Sequence, residues 1–342
     1  MTARLRMTLL ACAAVVGLAA ASSAMAAFTP QLAVSNNPPR TGASGTAILR
    51  VTVPRDHDAL FRADFYVPAG YVAPLTQSAG TTVGTVAAQV LVQEPVAGAV
   101  LPVQGNILVE NPANHTTSPC SPGLHAAVWM LVLAAAGQEL RVPAYVDPTT
   151  GTETALGAYK IRACLPSPHI PASLGGATFG AKLIRAQLNF TGVFTTPSAS
   201  GDYPFRLVAT PWAPPATPNA AATTESIAHM LLPARFTLRG TSRKRVLTVR
   251  GTLFEGPEAV GGQRIVVRIG RRNHTVRTTA GGAFRVTVRF RRRTTTTVRA
   301  SAAVPVRTET CPTGPSPAPA GCVSNTKAFY SVTSARIRVR VR

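Results

Sequence analysis

The chain is poor in acidic and aromatic residues. Of its 342 residues, 13 are acidic against 35 basic, so the net charge is +22, and aromatic residues make up 6%. So few aromatics argue against a platform that stacks sugars or nucleic-acid bases, although Trp212, in a Pro-rich stretch, is expected to be exposed. Six of the 13 acids stand in or beside apparent turns, so no pair is indicated for glycoside hydrolysis.

Long apolar segments are also missing, except at the start. Arg4 and Arg6 precede an apolar run over 7–21, and the small-x-small site Ala24-Met25-Ala26 follows. This pattern predicts a signal peptide over 1–26, with a retained membrane anchor as the alternative. No later stretch is long and apolar enough to span a bilayer. We therefore expect an exported, extracellular protein with no transmembrane segment in the mature chain.

Cysteine is scarce, and its count suits an exported chain. Removal of the leader takes Cys12 and leaves an even set, for which disulfide bonds are the expected chemistry. Four cysteines allow three pairings, of which sequence neighbourhood favours Cys120–Cys164 and Cys311–Cys322. A metal site is disfavoured because the spacings are wide and no Cys-x-x-Cys occurs.

The net positive charge is concentrated in the C-terminal part of the chain. Residues 235–342 hold 23 basic and 3 acidic side chains, whereas 28–234 hold ten of each. The break predicts two modules, a neutral one over 28–232 and a basic one over 236–342. A GC-rich genome explains the preference for Arg over Lys, but it does not explain this asymmetry.

Apolar and polar residues alternate with a period of two, most clearly in "FRVTVRF" (284–290) and "RIRVRVR" (336–342). Successive side chains of a strand point to opposite faces, so the arginines are predicted on the wet faces of half-buried strands. Strands are expected near 236–239, 246–253, 263–269, 274–279, 284–290, 296–302 and 329–341. The residues predicted to contact an anionic surface are Arg285, Arg289, Arg291, Arg292, Arg293, Arg336, Arg338, Arg340 and Arg342. Like charges along a strand also discourage the pairing of sheet edges between molecules. This effect explains some of the arginines without any ligand.

The basic module carries a family resemblance. A strand ending in Gly251, then "GQRIVVRI", "TTAGGAF" and "TTTTVRASA", is similar to the bacterial Ig-like and carboxypeptidase-regulatory-like β-sandwich modules. The likeness covers about 246–303. It implies a sandwich with a spacer, adhesion or display role and supplies no catalytic residue. The Pro-rich segment "CPTGPSPAPAGC" departs from the pattern.

The neutral region is also predicted to be β-structured, as one large sandwich or two small ones. Strands over 46–53 and 60–67 are expected to form a hairpin. A strand buried on both faces (125–133), for which a helix is the alternative, precedes another over 141–146, and further strands are expected at 181–190 and 205–210. Residues 210–226 have the composition of a loop that leads to the second module.

Catalytic and metal signatures are weak. No G-x-S-x-G elbow is present, and the Gly-rich segment 175–183 has its lysine one residue late for a phosphate loop. Asp56-His57-Asp58 offers half of a metal site at most. We therefore expect no catalytic residue, metal or cofactor.

The sequence favours a non-catalytic, extracellular binding or structural protein. The basic module is expected to hold it to an anionic wall polymer or membrane surface, and nucleic acid is not expected as a physiological partner. The alternative is a secreted hydrolase or metal-dependent enzyme with its site in loops of 28–234, around His57, His115, His125 and His169.

Overall fold

The computed structural model describes residues 28–93, 97–135, 137–170, 174, 176, 180–214, 216–312, 323–325 and 329–342, and the predicted signal peptide lies outside them. The described chain is all-β, with only short 3-10 turns besides its strands. The strands of the first half are β1 (Gln31–Asn37), β2 (Ser44–Thr52), β3 (Leu60–Val67), β4 (Thr82–Leu91), β5 (Val100–Glu110), β6 (Ala127–Ala135), β7 (Gln138–Pro148), β8 (Tyr159–Cys164), β9 (Lys182–Thr195), β10 (Gly201–Ala213), β11 (Thr217–Pro218) and β12 (Thr224–Leu232). Those of the second half are β13 (Ala234–Arg243), β14 (Val246–Glu255), β15 (Glu258–Ala259), β16 (Arg264–Ile269), β17 (Arg272–Arg277), β18 (Ala283–Arg289), β19 (Thr294–Pro305), β20 (Arg307–Pro312), β21 (Val323–Asn325), β22 (Phe329–Thr333) and β23 (Ile337–Val341).

The first module is one antiparallel sheet, here sheet I, folded over on itself. Its strand order is β1-β2-β9-β4-β5-β6-β7-β8-β3-β10-β12-β20-β21, with β11 beside β10. The fold brings β1 back against β12, where the Leu32 N–H donates to Ser226 Oγ at 2.9 Å. Large apolar side chains such as Trp129, Phe190 and Phe205 fill the single core between the two layers.

The second module is a sandwich of two smaller sheets. Sheet II contains β13, β14, β15 and β18, and sheet III contains β16, β17, β19, β22 and β23. Their inner faces share one aliphatic core, to which sheet II gives Leu247 and Val249 and sheet III gives Val267 and Val298. These strands alternate buried and exposed residues because one face meets the core and the other meets water.

Two inward-facing glycines of sheet II allow large neighbours to pack closely. A Cβ at Gly251 would lie 2.5 Å from Phe284 Cζ, and one at Gly240 would lie 2.5 Å from Val339 Cγ2. These distances are far shorter than carbon–carbon contact, so a side chain at either position would displace a core residue.

The two modules are joined by a strand exchange as well as by the link from β12 to β13. After β19 in sheet III the chain passes directly to β20, which pairs with β12 at the edge of sheet I. Strand β21 pairs with β20, and the chain then returns to sheet III, where β22 pairs with β19. The β20–β21 hairpin of the basic half therefore completes the sheet of the neutral half.

The structure confirms the all-β class and most of the expected strands. It corrects three expectations in detail. The strands predicted at 46–53 and 60–67 form, but β2 pairs with β1 and β9 whereas β3 pairs with β8 and β10, so they make no hairpin. The final strand is divided into β22 and β23. The predicted loop 210–226 contains the end of β10, β11 and the start of β12.

Candidate anion-binding faces

Three arginines form a row across the outer face of sheet II. Arg239 of β13 lies opposite Arg250 of β14, and Arg250 lies opposite Arg285 of β18. All three side chains are exposed. Adjacent strands lie about 4.8 Å apart, so the row is roughly 10 Å long. Like charges placed directly opposite each other destabilise a sheet, and the row therefore has a cost that folding alone does not explain.

Threonines border this row on both sides. Two residues along the strands in one direction lie Thr237 and Thr252, and in the other direction lie Thr241, Thr248 and Thr287. A shallow concavity of about 570 Å³ covers the arginine row and the first of these threonine rows. Arg277, from the neighbouring edge of sheet III, and Thr279 also line it, together with the apolar residues Leu238, Ala283 and Phe284. The surface thus presents several guanidinium and hydroxyl groups to one ligand. Phosphate and sulfate oxygens accept hydrogen bonds from such groups.

The opposite side of the same sandwich carries a second arginine cluster. On the outer face of sheet III, Arg268 of β16 lies opposite Arg299 of β19. These two residues line a 260 Å³ concavity together with Arg336 and Thr297. On β23, Arg338 lies opposite Thr297, and Arg340 follows two residues later on the same face.

Among the side chains that the structure describes, neither face has an acidic partner. Of the three acidic residues of 235–342, Glu255 and Glu258 both pair with Arg307, and Glu309 belongs to β20, which pairs with β12 in sheet I. No described carboxylate forms a salt bridge with an arginine of either concavity. The described salt bridges therefore leave the positive charge of the two faces uncompensated.

The structure places the nine predicted arginines in several locations. Arg285 and Arg289 lie on the sheet II face, and Arg336, Arg338 and Arg340 lie on the sheet III side. Arg291, Arg292 and Arg293 occupy the exposed bend between β18 and β19, and Arg342 ends the chain, where its N–H donates to Ser242 Oγ.

Sequence reasoning missed Arg239, Arg250, Arg268 and Arg299. Each follows the period-two pattern of its own strand, but the cross-strand register that aligns them is set by pairing. That register is not visible in any single segment of the sequence.

The expected Cys120–Cys164 disulfide is present, with the two Cα atoms 5.9 Å apart. It links the end of β8 to the segment before β6. In the Cys311–Cys322 pairing, Cys322 lies outside the described residues, so this pairing stays a prediction.

The four histidines proposed for an enzymatic site make separate contacts, and His169 donates its backbone N–H to Ser167 Oγ. His57 Nδ1 accepts a hydrogen bond from the Thr29 N–H, and His115 Nε2 lies 2.7 Å from Glu110 Oε2. The Lys182 ammonium donates to the His57 and Arg55 carbonyl oxygens. Lys182 is the lysine of the segment that was compared with a phosphate loop. These contacts give it a structural role at the start of β9.

His125 is the histidine with the most complete set of partners. Its Nδ1 lies 2.8 Å from Asp147 Oδ2, and its Nε2 lies 2.9 Å from the carbonyl oxygen of Ser121. Asp147 Oδ1 also accepts from the Ala126 N–H. The ring therefore fastens the segment before β6 to β7. A nucleophilic triad would need the Ser121 hydroxyl where the backbone carbonyl stands.

The structure also bears on Trp212 and on groups of side chains that could hold a metal. Trp212, expected to be exposed, is half-buried because it packs 4.5 Å from the Phe61 ring and its indole N–H donates to the Leu165 carbonyl oxygen. Across the described ranges, no group of three or more His, Cys, Asp or Glu side chains could hold a metal ion.

A buried polar cluster lies where the second module meets the first. Glu255 of β14 accepts a hydrogen bond from the hydroxyl of Tyr330 of β22, and Arg307 of β20 lies 3.7 Å from its other oxygen. Burial raises the pKa of the Glu255 carboxyl, while the Tyr330 hydrogen bond and Arg307 oppose that rise. Burial also raises the pKa of Tyr330, and the Glu255 charge adds to the effect.

Comparison with known proteins identifies no family. No known protein family matches the chain, and no curated protein matches it. One similar solved structure is that of a 1.5-MDa bacterial ice-binding adhesin, described for its host cell surface retention. The two are 10% identical over 91% of this chain and 97% of that one, with a TM-score of 0.19. Another is dimeric latent PorU from Porphyromonas gingivalis, 10% identical over 90% of this chain and 34% of that one, with a TM-score of 0.18. At these scores neither likeness bears on function.

In the part of the chain that the structure describes, no helix has the length and hydrophobicity to cross a bilayer.

Proposed function

We propose that this chain is a secreted, non-catalytic binding or structural protein that its basic module holds to an anionic cell envelope. The leader-like start and the Cys120–Cys164 disulfide support export, because disulfides persist in oxidising compartments. The similarity of 246–303 to Ig-like modules supports a spacer or adhesion role.

One observation carries the proposal. The row Arg239–Arg250–Arg285 juxtaposes three like charges with no described acid beside them. A polyanion laid along the row removes that repulsion and gains several charge-assisted hydrogen bonds at once. Isolated surface arginines act less effectively, since salt screens each of them beyond about 8 Å at physiological ionic strength.

The test uses the full-length mature chain, because β20 and β21 of the basic half complete sheet I. Retention on purified cell envelope is measured from low to high salt for the wild type and for the variant R239Q/R250Q/R285Q. The matched control, R40Q/R55Q/R185Q, removes the same charge from three exposed arginines of the first module, none of which is among the predicted binding residues.

We expect the wild type and the control to be retained at low salt and released as salt rises, and the row variant to be released at lower salt. Equal retention of the row variant and the control would contradict the row as the binding surface. No retention of the wild type at any salt would contradict the envelope tether.

A further inference from the structure

Retention on one surface requires one basic face, yet the second module has two. The outer faces of sheets II and III point in opposite directions, because the inner faces of the two sheets enclose the shared core. Each outer face carries its own arginine cluster and its own concavity, lined by Arg239, Arg250 and Arg285 on one side and by Arg268, Arg299 and Arg336 on the other. One flat anionic surface cannot contact both clusters at once.

The shape and composition of the faces indicate a chain-like ligand. Both clusters lie in grooves, and hydroxyl groups of Thr237, Thr252 and Thr297 accompany the guanidinium groups. The large apolar side chains exposed in the described ranges are Val72, Leu124, Leu174 and Phe329, and none of them lines either groove. Leu238 and Phe284 also line the sheet II groove, but Phe284 is buried and Leu238 is only partly exposed. A face that docks on lipid usually adds fully exposed apolar side chains that enter the membrane.

We propose that the basic module binds two segments of linear, phosphate-bearing polymer at the same time, one on each face, and thereby cross-links polymer chains. This inference rests on the proposed function and specifies its ligand and its valency. Guanidinium groups spaced by the strand separation match successive phosphates of an extended chain, and the threonine hydroxyls donate to the remaining phosphate oxygens.

Two measurements on the full-length mature protein test the inference. Calorimetric titration with tripolyphosphate, which is too short to reach from one face to the other, gives the number of sites. Light scattering with long-chain polyphosphate reports cross-linking, and light scattering with phosphatidylglycerol vesicles reports vesicle clustering. Each is performed on the wild type, R239Q/R250Q/R285Q, R268Q/R299Q/R336Q and the charge-matched control R40Q/R55Q/R185Q. Circular dichroism and thermal unfolding verify that each variant is folded.

We expect two tripolyphosphate sites on the wild type and on the control, and one on each face variant. Long polyphosphate should raise the scattering of the wild type and the control, with the signal lost again at excess polymer, when each face binds a separate chain. Both face variants should bind the polymer without the rise in scattering.

Three outcomes would overturn the inference. The first is a single tripolyphosphate site on the wild type. The second is full cross-linking by either face variant. The third is clustering of phosphatidylglycerol vesicles without cross-linking of polyphosphate, which would assign the faces to membranes. If the protein showed salt-sensitive retention on envelope but only one tripolyphosphate site, the cross-linking inference would fail and the proposed function would stand. If the protein were not retained at all, the proposed function would fail as well.

Discussion

The Tyr330 hydroxyl donates a hydrogen bond to the buried Glu255 carboxylate and so joins sheet III to sheet II at the end that faces the first module. Arg307, which extends from β20 in sheet I, lies beside the same carboxylate and also contacts Glu258 at 3.2 Å. This cluster links all three sheets.

Replacement of Tyr330 by Phe should destabilise the protein. The ring packing would remain, but the buried carboxylate would lose its hydroxyl donor, at a cost of roughly 1–3 kcal/mol in the free energy of unfolding. Urea denaturation measures this change. Tyr203→Phe serves as the control, because the Tyr203 hydroxyl bonds to the Ala199 carbonyl oxygen in an exposed position and should matter less. Equal effects of the two substitutions would contradict the importance of the cluster.

Glu255 should also give the protein an unusual pH dependence. Burial raises its pKa, with Glu258 and Asp202 adding to the rise. A carboxyl group whose pKa is higher in the folded state binds its proton more tightly there, so folding gains stability as pH falls through the raised value. The gain is complete below the ordinary value of 4.5.

The variant E255Q isolates this contribution. Because Gln does not titrate, the unfolding free energy of the wild type minus that of E255Q should increase as pH is lowered from neutral to about 4. Denaturation curves of both proteins at each pH give the difference, from which the other titrating groups largely cancel. A difference that stays constant or decreases on acidification would refute the assignment.

In the first module, Asp64 and Arg162 form a two-pronged ion pair between β3 and β8, with distances of 2.6 and 3.1 Å. The Asp64 side chain is 4% exposed, so its removal would leave the half-buried guanidinium of Arg162 without its main partner. We expect Asp64→Ala to lower the unfolding free energy by about 3–5 kcal/mol. Glu139→Ala breaks a solvent-exposed pair with Arg141 and should leave stability unchanged, since exposed pairs contribute little. A D64A protein as stable as E139A would contradict this account.

The Cys120–Cys164 disulfide closes a loop with a sequence separation of 44. The chain-entropy relation assigns such a loop about 4 kcal/mol of stability. The double substitution C120S/C164S should therefore lower the denaturation midpoint, and reductant should destabilise the wild type by more than it destabilises the variant. If reductant affected the two proteins equally, this disulfide would not be the stabilising element.

The sequence predicted local structure well and long-range pairing poorly. The alternation in "FRVTVRF" placed β18 and the outward direction of Arg285, because a strand side chain's face depends on its immediate neighbours. The same reasoning joined β2 to β3, whereas β2 pairs with β9, far away in the chain. Alignment of Arg250 between Arg239 and Arg285 likewise depends on the register of three strands, which no local pattern specifies.

The exchange of β20 into sheet I was also absent from the sequence prediction. A Pro-rich stretch with flanking cysteines has the composition of a surface loop, and its neighbouring strand residues are few. What places β20 is the free edge of β12, a feature of the folded first module. Because β20 and β21 come from the basic half but complete sheet I, a fragment containing only the neutral half would lack these two strands.

The salt dependence of envelope binding tests the central claim most directly. The affinity of the full-length protein for purified envelope is measured over a range of salt concentrations, and log K is plotted against log salt. If Arg239, Arg250 and Arg285 each neutralise one phosphate, R239Q/R250Q/R285Q should reduce the magnitude of the slope by about 2, at roughly 0.7 per lost contact. The control R40Q/R55Q/R185Q should keep the wild-type slope. Identical slopes for the row variant and the wild type would show that these arginines are solubilising strand faces and that the envelope is held elsewhere, if at all.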